Sequence, residues 1–163
     1  IEKAVELGAT DLHPVLTQFT ELRVLNEDRL TAQIIEAAEQ CERLDVPRLH
    51  GMIKLQEISA PVLACLERDG DCSSLQEMLT PSQGGRTKEG GTENTPTLSV
   101  LIGPEGGFSA DETAWLKKSP HVTCVSLGDS ILRAETASIY ALSTIRVTTL
   151  TFVNKMALTH LPF

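Results

Sequence analysis

The sequence is short of positive charge: 14 lysines and arginines stand against 22 aspartates and glutamates, a net charge of −8. Gripping a polyanion requires clustered basic side chains that neutralise phosphates. This balance argues against a free-standing nucleic-acid binder, and if RNA is the substrate most of the grip must come from elsewhere. No apolar run approaches the roughly 18 residues that span a bilayer. No signal peptide is visible, so the cytoplasm is the default expectation, with an organelle open if a targeting segment preceded Ile1. The four cysteines, Cys41, Cys65, Cys72 and Cys124, form no CxxC pair and have no histidine nearby, so they read as reduced core residues, not a disulfide framework or zinc site. His13, His50, His121 and His160 match no metal or triad spacing and read as surface or core-edge residues. No metal is expected.

What is present fits one globular domain, with 163 residues of which 41% are hydrophobic. The first residue is Ile and the first seven already read as helix, so the chain is expected to begin inside a longer product, with an N-terminal partner domain missing. Residues 11–16 read as a short strand. Residues 28–44 carry Leu30, Ile34, Ala37, Cys41 and Leu44 at alternating spacings of three and four, one buried helical face. Pro47 ends it, and a short strand near 48–52 and a brief helix near 53–58 follow. The run PVLACL at 61–66 suits a central strand buried on both faces. Ser73 is expected to cap a helix through Leu79. Residues 81–97 are polar, glycine-rich and without hydrophobic period, a flexible insertion. Then come strand 98–102, helix 110–118, strand 122–127 and a long helix from about 134 to 150. Strands alternating with helices predict an α/β fold, a parallel sheet with helices on both faces. Such sheets bind ligands at the C-terminal ends of their strands.

Two strands end in glycine loops. Leu101-Ile102 runs into Gly103-Pro104-Glu105-Gly106-Gly107, and Ser126-Leu127 runs into Gly128-Asp129-Ser130-Ile131-Leu132-Arg133. Neither carries the lysine of GxxxxGK(S/T) or the open spacing of GxGxxG, and Glu105 would repel phosphate. The expected ligand is uncharged or locally cationic, a description that S-adenosylmethionine fits. Taken alone, GPEGG is also an ordinary structural turn. Ser109 and Glu112 have capping-box spacing, which explains the start of the next helix. Trp115 and Tyr140 fall in amphipathic helices and read as packing or dimer residues.

The pair LIGPEGGFSADE (101–112) and VSLGDSILRAETASIYAL (125–142) resembles the signature of the RsmE family, ribosomal RNA uracil-N3 methyltransferases of the SPOUT superfamily. IEKAVELGATDLHP and AAEQCERLDVP resemble the same family's earlier segments, so the likeness covers nearly the whole chain. It implies a C-terminal trefoil knot, an exception to the unknotted rule, with S-adenosyl-L-methionine bent into it and a homodimer across it. The implied substrate is N3 of a uridine in 16S rRNA or the small ribosomal subunit. The cofactor pocket would comprise Leu101, Ile102, Gly103, Glu105, Gly106, Leu127, Gly128, Ile131 and Leu132, with the strand at 61–66 as a third wall. Arg133 would stabilise charge on the uracil oxygens, or else pair with Glu135; Glu135 would orient Arg133 or act as base, and Thr136 would cap the last helix. Three features depart from the family: its N-terminal PUA-like RNA-binding barrel is absent from this chain, Gln40-Cys41-Glu42-Arg43-Leu44-Asp45 is more acidic than usual, and the 81–97 insertion is long. The alternative is a non-catalytic dimeric SPOUT-like module that binds adenosylmethionine or a protein partner without methylating RNA.

Overall fold

A computed structural model describes residues 1–21, 24–66, 72–80 and 98–149, together with the backbone of the strand Lys155–Leu158. The expected insertion at 81–97 lies outside the described residues. In chain order the elements are α1 (Glu2–Glu6), β1 (Asp11–Leu16), α2 (Glu27–Gln40), β2 (Arg48–Leu49) and β3 (Ile53–Lys54). A 3-10 turn at Leu55–Glu57 leads to β4 (Val62–Leu66), α3 (Leu75–Leu79), β5 (Ser99–Ile102), α4 (Ala110–Lys118), β6 (Val122–Ser126), α5 (Ala134–Thr149) and β7 (Lys155–Leu158). The strands form one seven-stranded sheet in the order β2-β1-β7-β5-β4-β6, with β3 pairing farther along β1. Every pairing is parallel.

Side chains alternate across a strand, so a sheet covered on both faces must be apolar at every position. β4 meets that requirement, all five of its residues being buried. Leu63 and Cys65 join Val100, Ile102 and Val125 in a core layer with Ile34 and Ala37 of α2 and Ala141, Leu142 and Ile145 of α5. Val62, Ala64 and Leu66 face the other way, with Leu101, against Leu55 and Leu116 of α4. Helices therefore cover both faces. Burying a leucine or isoleucine side chain contributes about 1.5–3 kcal/mol, so these two layers hold the strand ends that frame the site. Among the described residues no helix is long and apolar enough to cross a membrane.

Five details depart from the sequence pattern. Ile53–Lys54, expected to begin a brief helix, pair with β1 as the strand β3. α2 stops at Gln40 instead of continuing to Leu44, whose relative exposure is 105%. Glu42 adopts a left-handed φ of 55°, and the Arg43 amide donates to the Ala38 carbonyl at 3.0 Å, which closes the helix C-terminus. Arg43 then turns inward, and its Nη1 donates to the carbonyls of Val5 (2.7 Å) and Ala9 (2.8 Å), so the basic residue of that segment ties the end of α2 to α1 and to the turn that precedes β1. The helix expected from Ser73 is capped by Ser74, whose hydroxyl accepts from the Glu77 amide. Thr136 lies inside α5, one turn past the position of a cap. Finally β7, only four residues of KMAL, fills the gap between β1 and β5, a place that tertiary pairing supplies and local periodicity does not mark.

Candidate functional site

A cavity of ≈ 220 Å³ opens where β4 and β5 end, beside the loop that leaves β6. Cys65 and Leu66 form one wall. Ile102, Gly103, Pro104, Gly106, Gly107 and Phe108 form the second, closed by Thr113 of α4. Leu127, Gly128, Ser130 and Leu132 form the third, backed by Ala134 and Ala137 at the start of α5. Among the described residues no lysine, arginine or histidine lines it. Burial pushes the Cys65 thiol up to about 12, so this wall offers a neutral thiol and no reactive thiolate.

The loop between β5 and α4 is built from short, mostly buried contacts. The Gly107 amide donates to the Pro104 carbonyl at 2.8 Å, and Gly107 takes φ of +68°, which favours glycine. Ser109 then caps α4: its hydroxyl accepts from the Glu112 amide (3.3 Å), and the Ser109 amide donates to Glu112 Oε2 (2.9 Å). Glu112 is only 7% exposed, and its other oxygen, Oε1, accepts from the Gln18 amide at 2.7 Å. One carboxylate thus ties the start of α4 to the segment that follows β1. That segment is itself closed by buried Thr17 and Thr20, the Thr17 amide donating to Thr20 Oγ1 at 3.0 Å. Phe19, carried between them, packs on Gly106: a Cβ there would sit 3.0 Å from Phe19 Cβ. A Cβ on Gly103 would sit 3.1 Å from the Phe108 ring.

The loop between β6 and α5 is built differently. Gly128 has φ of +116°, a Cβ there would meet nothing within 4 Å among the described residues, and its amide donates to Ser126 Oγ at 3.1 Å. Asp129, Ser130 and Ile131 are exposed, Ile131 at 54%.

Of the nine expected pocket residues, Ile102, Gly103, Gly106, Leu127, Gly128 and Leu132 line the cavity. Leu101 is fully buried in the opposite core layer, against Leu116, so its side chain faces away. Glu105 and Ile131 stand exposed outside the cavity lining. Arg133 and Glu135 are exposed beyond the third wall, and among the described residues no ion pair joins them. The Arg133 carbonyl accepts the first helical bond of α5, from Ala137 at 2.8 Å. Phe108, Thr113, Ala134 and Ala137 were missing from the sequence reading. Phe108, Ala134 and Ala137 lie within the two motifs and Thr113 directly follows the first, and the 3.6-residue period that turns Thr113 and Ala137 to the cavity could have marked them.

The family model for the RNA methyltransferase domain matches residues 1–146. Ribosomal RNA small subunit methyltransferase E of Rickettsia conorii is 31% identical over 147 residues, covering 90% of this chain and 57% of that protein. The protein of the same name in Bacillus subtilis is 31% identical over 160 residues, covering 89% and 58%. Among solved structures, a putative methyltransferase from Legionella pneumophila in complex with the bound cofactor SAM superposes with a TM-score of 0.69 at 26% identity, covering 90% of this chain and 58% of that one. Ribosomal RNA small subunit methyltransferase E from Neisseria gonorrhoeae, bound to S-adenosyl methionine, gives 0.65 at 25% identity, covering 90% and 58%. The chain therefore spans somewhat under three-fifths of these relatives.

Proposed function

Because this chain belongs to the RNA methyltransferase domain family, we propose that its cavity binds S-adenosylmethionine and that it methylates N3 of a uridine in small-subunit (16S) ribosomal RNA. The observation that carries the reading is the character of the cavity: glycine backbone and apolar side chains at three strand ends, with no basic side chain among the described residues that line it. A nucleotide phosphate would call for a lysine or a row of helix-end amides. An adenosine bearing a sulfonium needs apolar flanks for the base and main-chain groups for its edge.

In this proposal Ile102, Leu127 and Leu132 flank the adenine, and the main chain at Gly103, Gly106 and Gly128 contacts the ligand. Leu101 acts from beneath by fixing β5, while Glu105 and Ile131 stand at the rim. Bound there, the cofactor supplies an activated methyl group. The chain's own residues must then manage the uracil. N3 loses its proton before it can act as nucleophile, and the resulting charge spreads to the two flanking carbonyl oxygens. Arg133, exposed at the end of the third wall, stabilises that charge, and Glu135 orients the guanidinium or accepts the proton.

The same proposal includes the C-terminal knot around the β6–α5 loop and a homodimer across it, to which Ile139 and Tyr140, both partly exposed on α5, would contribute. It also includes a separate RNA-binding barrel, because a surface with net charge −8 repels a polyanion. The cytoplasm is the expected compartment.

The test is nucleoside analysis of small ribosomal subunits from a strain lacking the modification, incubated with adenosylmethionine and either this chain or this chain fused behind the family's barrel. N3-methyluridine is expected with the fusion, falling steeply as salt rises. Absence of methylation by a fusion that binds both cofactor and subunits would favour a non-catalytic module.

A further inference from the structure

Away from the cavity, two strands across the sheet from β5, Asp11, His13 and His50 come together. Through β7, Asp11 lies level with Ser99 and His13 with Leu101, so the cluster is separated from the cavity sideways across the sheet. None of the three residues lines the cavity. Asp11 and His13 are two apart on β1 and so share a face. His50 reaches the same place through the parallel β1–β2 ladder: the Arg48 amide donates to the Thr10 carbonyl (2.8 Å) and the His50 amide to the Leu12 carbonyl (2.9 Å). The side chains follow. His50 Nε2 stands 2.7 Å from Asp11 Oδ1, and the His13 and His50 rings stack at 3.8 Å with 14° between their planes. One donor atom from each residue lies within 4.8 Å of the others.

We propose that Asp11, His13 and His50 form a binding site for a divalent transition metal of the zinc class, which fastens β2 to β1. Two imidazoles and a carboxylate are the donor set that zinc and its neighbours accept, and three protein ligands leave a fourth position for water. The three residues are half-buried, which restrains them while leaving an entry path. Thr10 Oγ1 donates to Asp11 Oδ2 at 3.0 Å, orienting the carboxylate so that Oδ1 faces His50, the kind of outer support that ligating carboxylates receive. Zinc–nitrogen bonds of about 2.0–2.1 Å bring donors to roughly 3.3 Å apart. The cluster must contract slightly, and the stacked rings must part, because an ion shared by two imidazoles lies near both ring planes. Spacing along the chain gives no hint of this site, since Asp11 and His50 are 39 positions apart and meet only through strand pairing.

The experiment titrates the reduced 163-residue chain with cobalt(II) and then zinc(II). One equivalent of cobalt is expected to give visible ligand-field bands with no thiolate charge transfer, and zinc is expected to displace it. H13Q and H50Q should each weaken binding at least about tenfold, while H121Q, at an exposed histidine elsewhere, should leave it unchanged. Imidazole nitrogen resonances of the unsubstituted chain give an independent readout: zinc should shift His13 and His50 together and remove their mutual ring-current effect. Should a glutamine variant lose its fold, those resonances decide alone. Thiolate charge transfer, binding indifferent to both substitutions, or imidazole resonances unmoved at millimolar zinc would overturn the proposal.

Discussion

The loops that follow β5 and β6 both turn on glycine at a strand end and both wall the same cavity, yet they are held in opposite ways. In the first, the space beside Gly103 and Gly106 is filled by Phe108 and Phe19, and buried Glu112 ties the start of α4 to Gln18. In the second, the described residues leave the space beside Gly128 open, and Ser126 Oγ accepts from the Gly128 amide at an exposed position. Similar glycine-rich sequence therefore serves two purposes. After β5, glycine admits neighbouring side chains so that the wall is fixed before any ligand arrives. After β6, it provides a left-handed turn and leaves room for something from outside the chain. In the proposed reaction the first loop would hold cofactor, and the second, leading to Arg133, would meet both cofactor and base.

The comparison can be broken at its strongest point by Glu112→Ala. The buried Ser109 amide and the Gln18 amide, whose bond is part-buried, would lose a charged acceptor, and the expected loss of stability is about 3 kcal/mol. Urea unfolding measures it, and a loss below about 1 kcal/mol would mean that the β5–α4 loop is not anchored as described. On the other loop the expected effect is on rate. Arg133→Ala, in a form competent for RNA, should slow methyl transfer by about a hundredfold, or roughly 2.7 kcal/mol, with cofactor affinity and unfolding midpoint unchanged. Equal turnover would remove Arg133 from the chemistry.

Gly128→Val sharpens the contrast further. A β-branched residue at φ of +116° is strained by about 1–2 kcal/mol and would fill the open space, so adenosylmethionine affinity should fall at least about tenfold while the core survives. Gly106→Ala should instead act through Phe19, lowering stability before affinity; differential scanning calorimetry with and without ligand separates the two. The smallest pair is Ser109→Ala against Ser126→Ala. Loss of the helix cap should cost about 1 kcal/mol, and loss of the half-buried Ser126 hydroxyl, whose bonds lie at an exposed position, about 0.5 kcal/mol.

Much of this arrangement was legible in the sequence where the cause is local. The bounds of β1 and α4 follow from local pattern, and the Ser109–Glu112 box is visible as S-x-x-E. The parallel sheet follows from alternating elements, and the cavity lies at strand ends where such sheets place ligands. What escaped depends on partners distant in the chain. The Gln18–Glu112 bond joins residues 94 apart, and nothing near Glu112 announces a second use for its carboxylate. β7 exists because β1 and β5 leave a gap between them. Leu44 continues the apolar period of α2, but a left-handed Glu42 ends the helix first, and the period alone does not reveal that turn. The same limit hid the meeting of Asp11, His13 and His50.

The central claim, that a cavity walled by one fixed and one open glycine loop accepts an adenosine carrying a sulfonium and no phosphate, is tested most directly by titration calorimetry of the chain with adenosylmethionine, adenosylhomocysteine, ATP and NAD. One molecule of adenosylmethionine or adenosylhomocysteine should bind per chain, weakened by Gly128→Val, and at a hundred times its dissociation constant either ligand should add about 2.7 kcal/mol of stability, while ATP and NAD give no binding heat. Binding of ATP without adenosylhomocysteine, or adenosylmethionine binding indifferent to Gly128→Val, would contradict it.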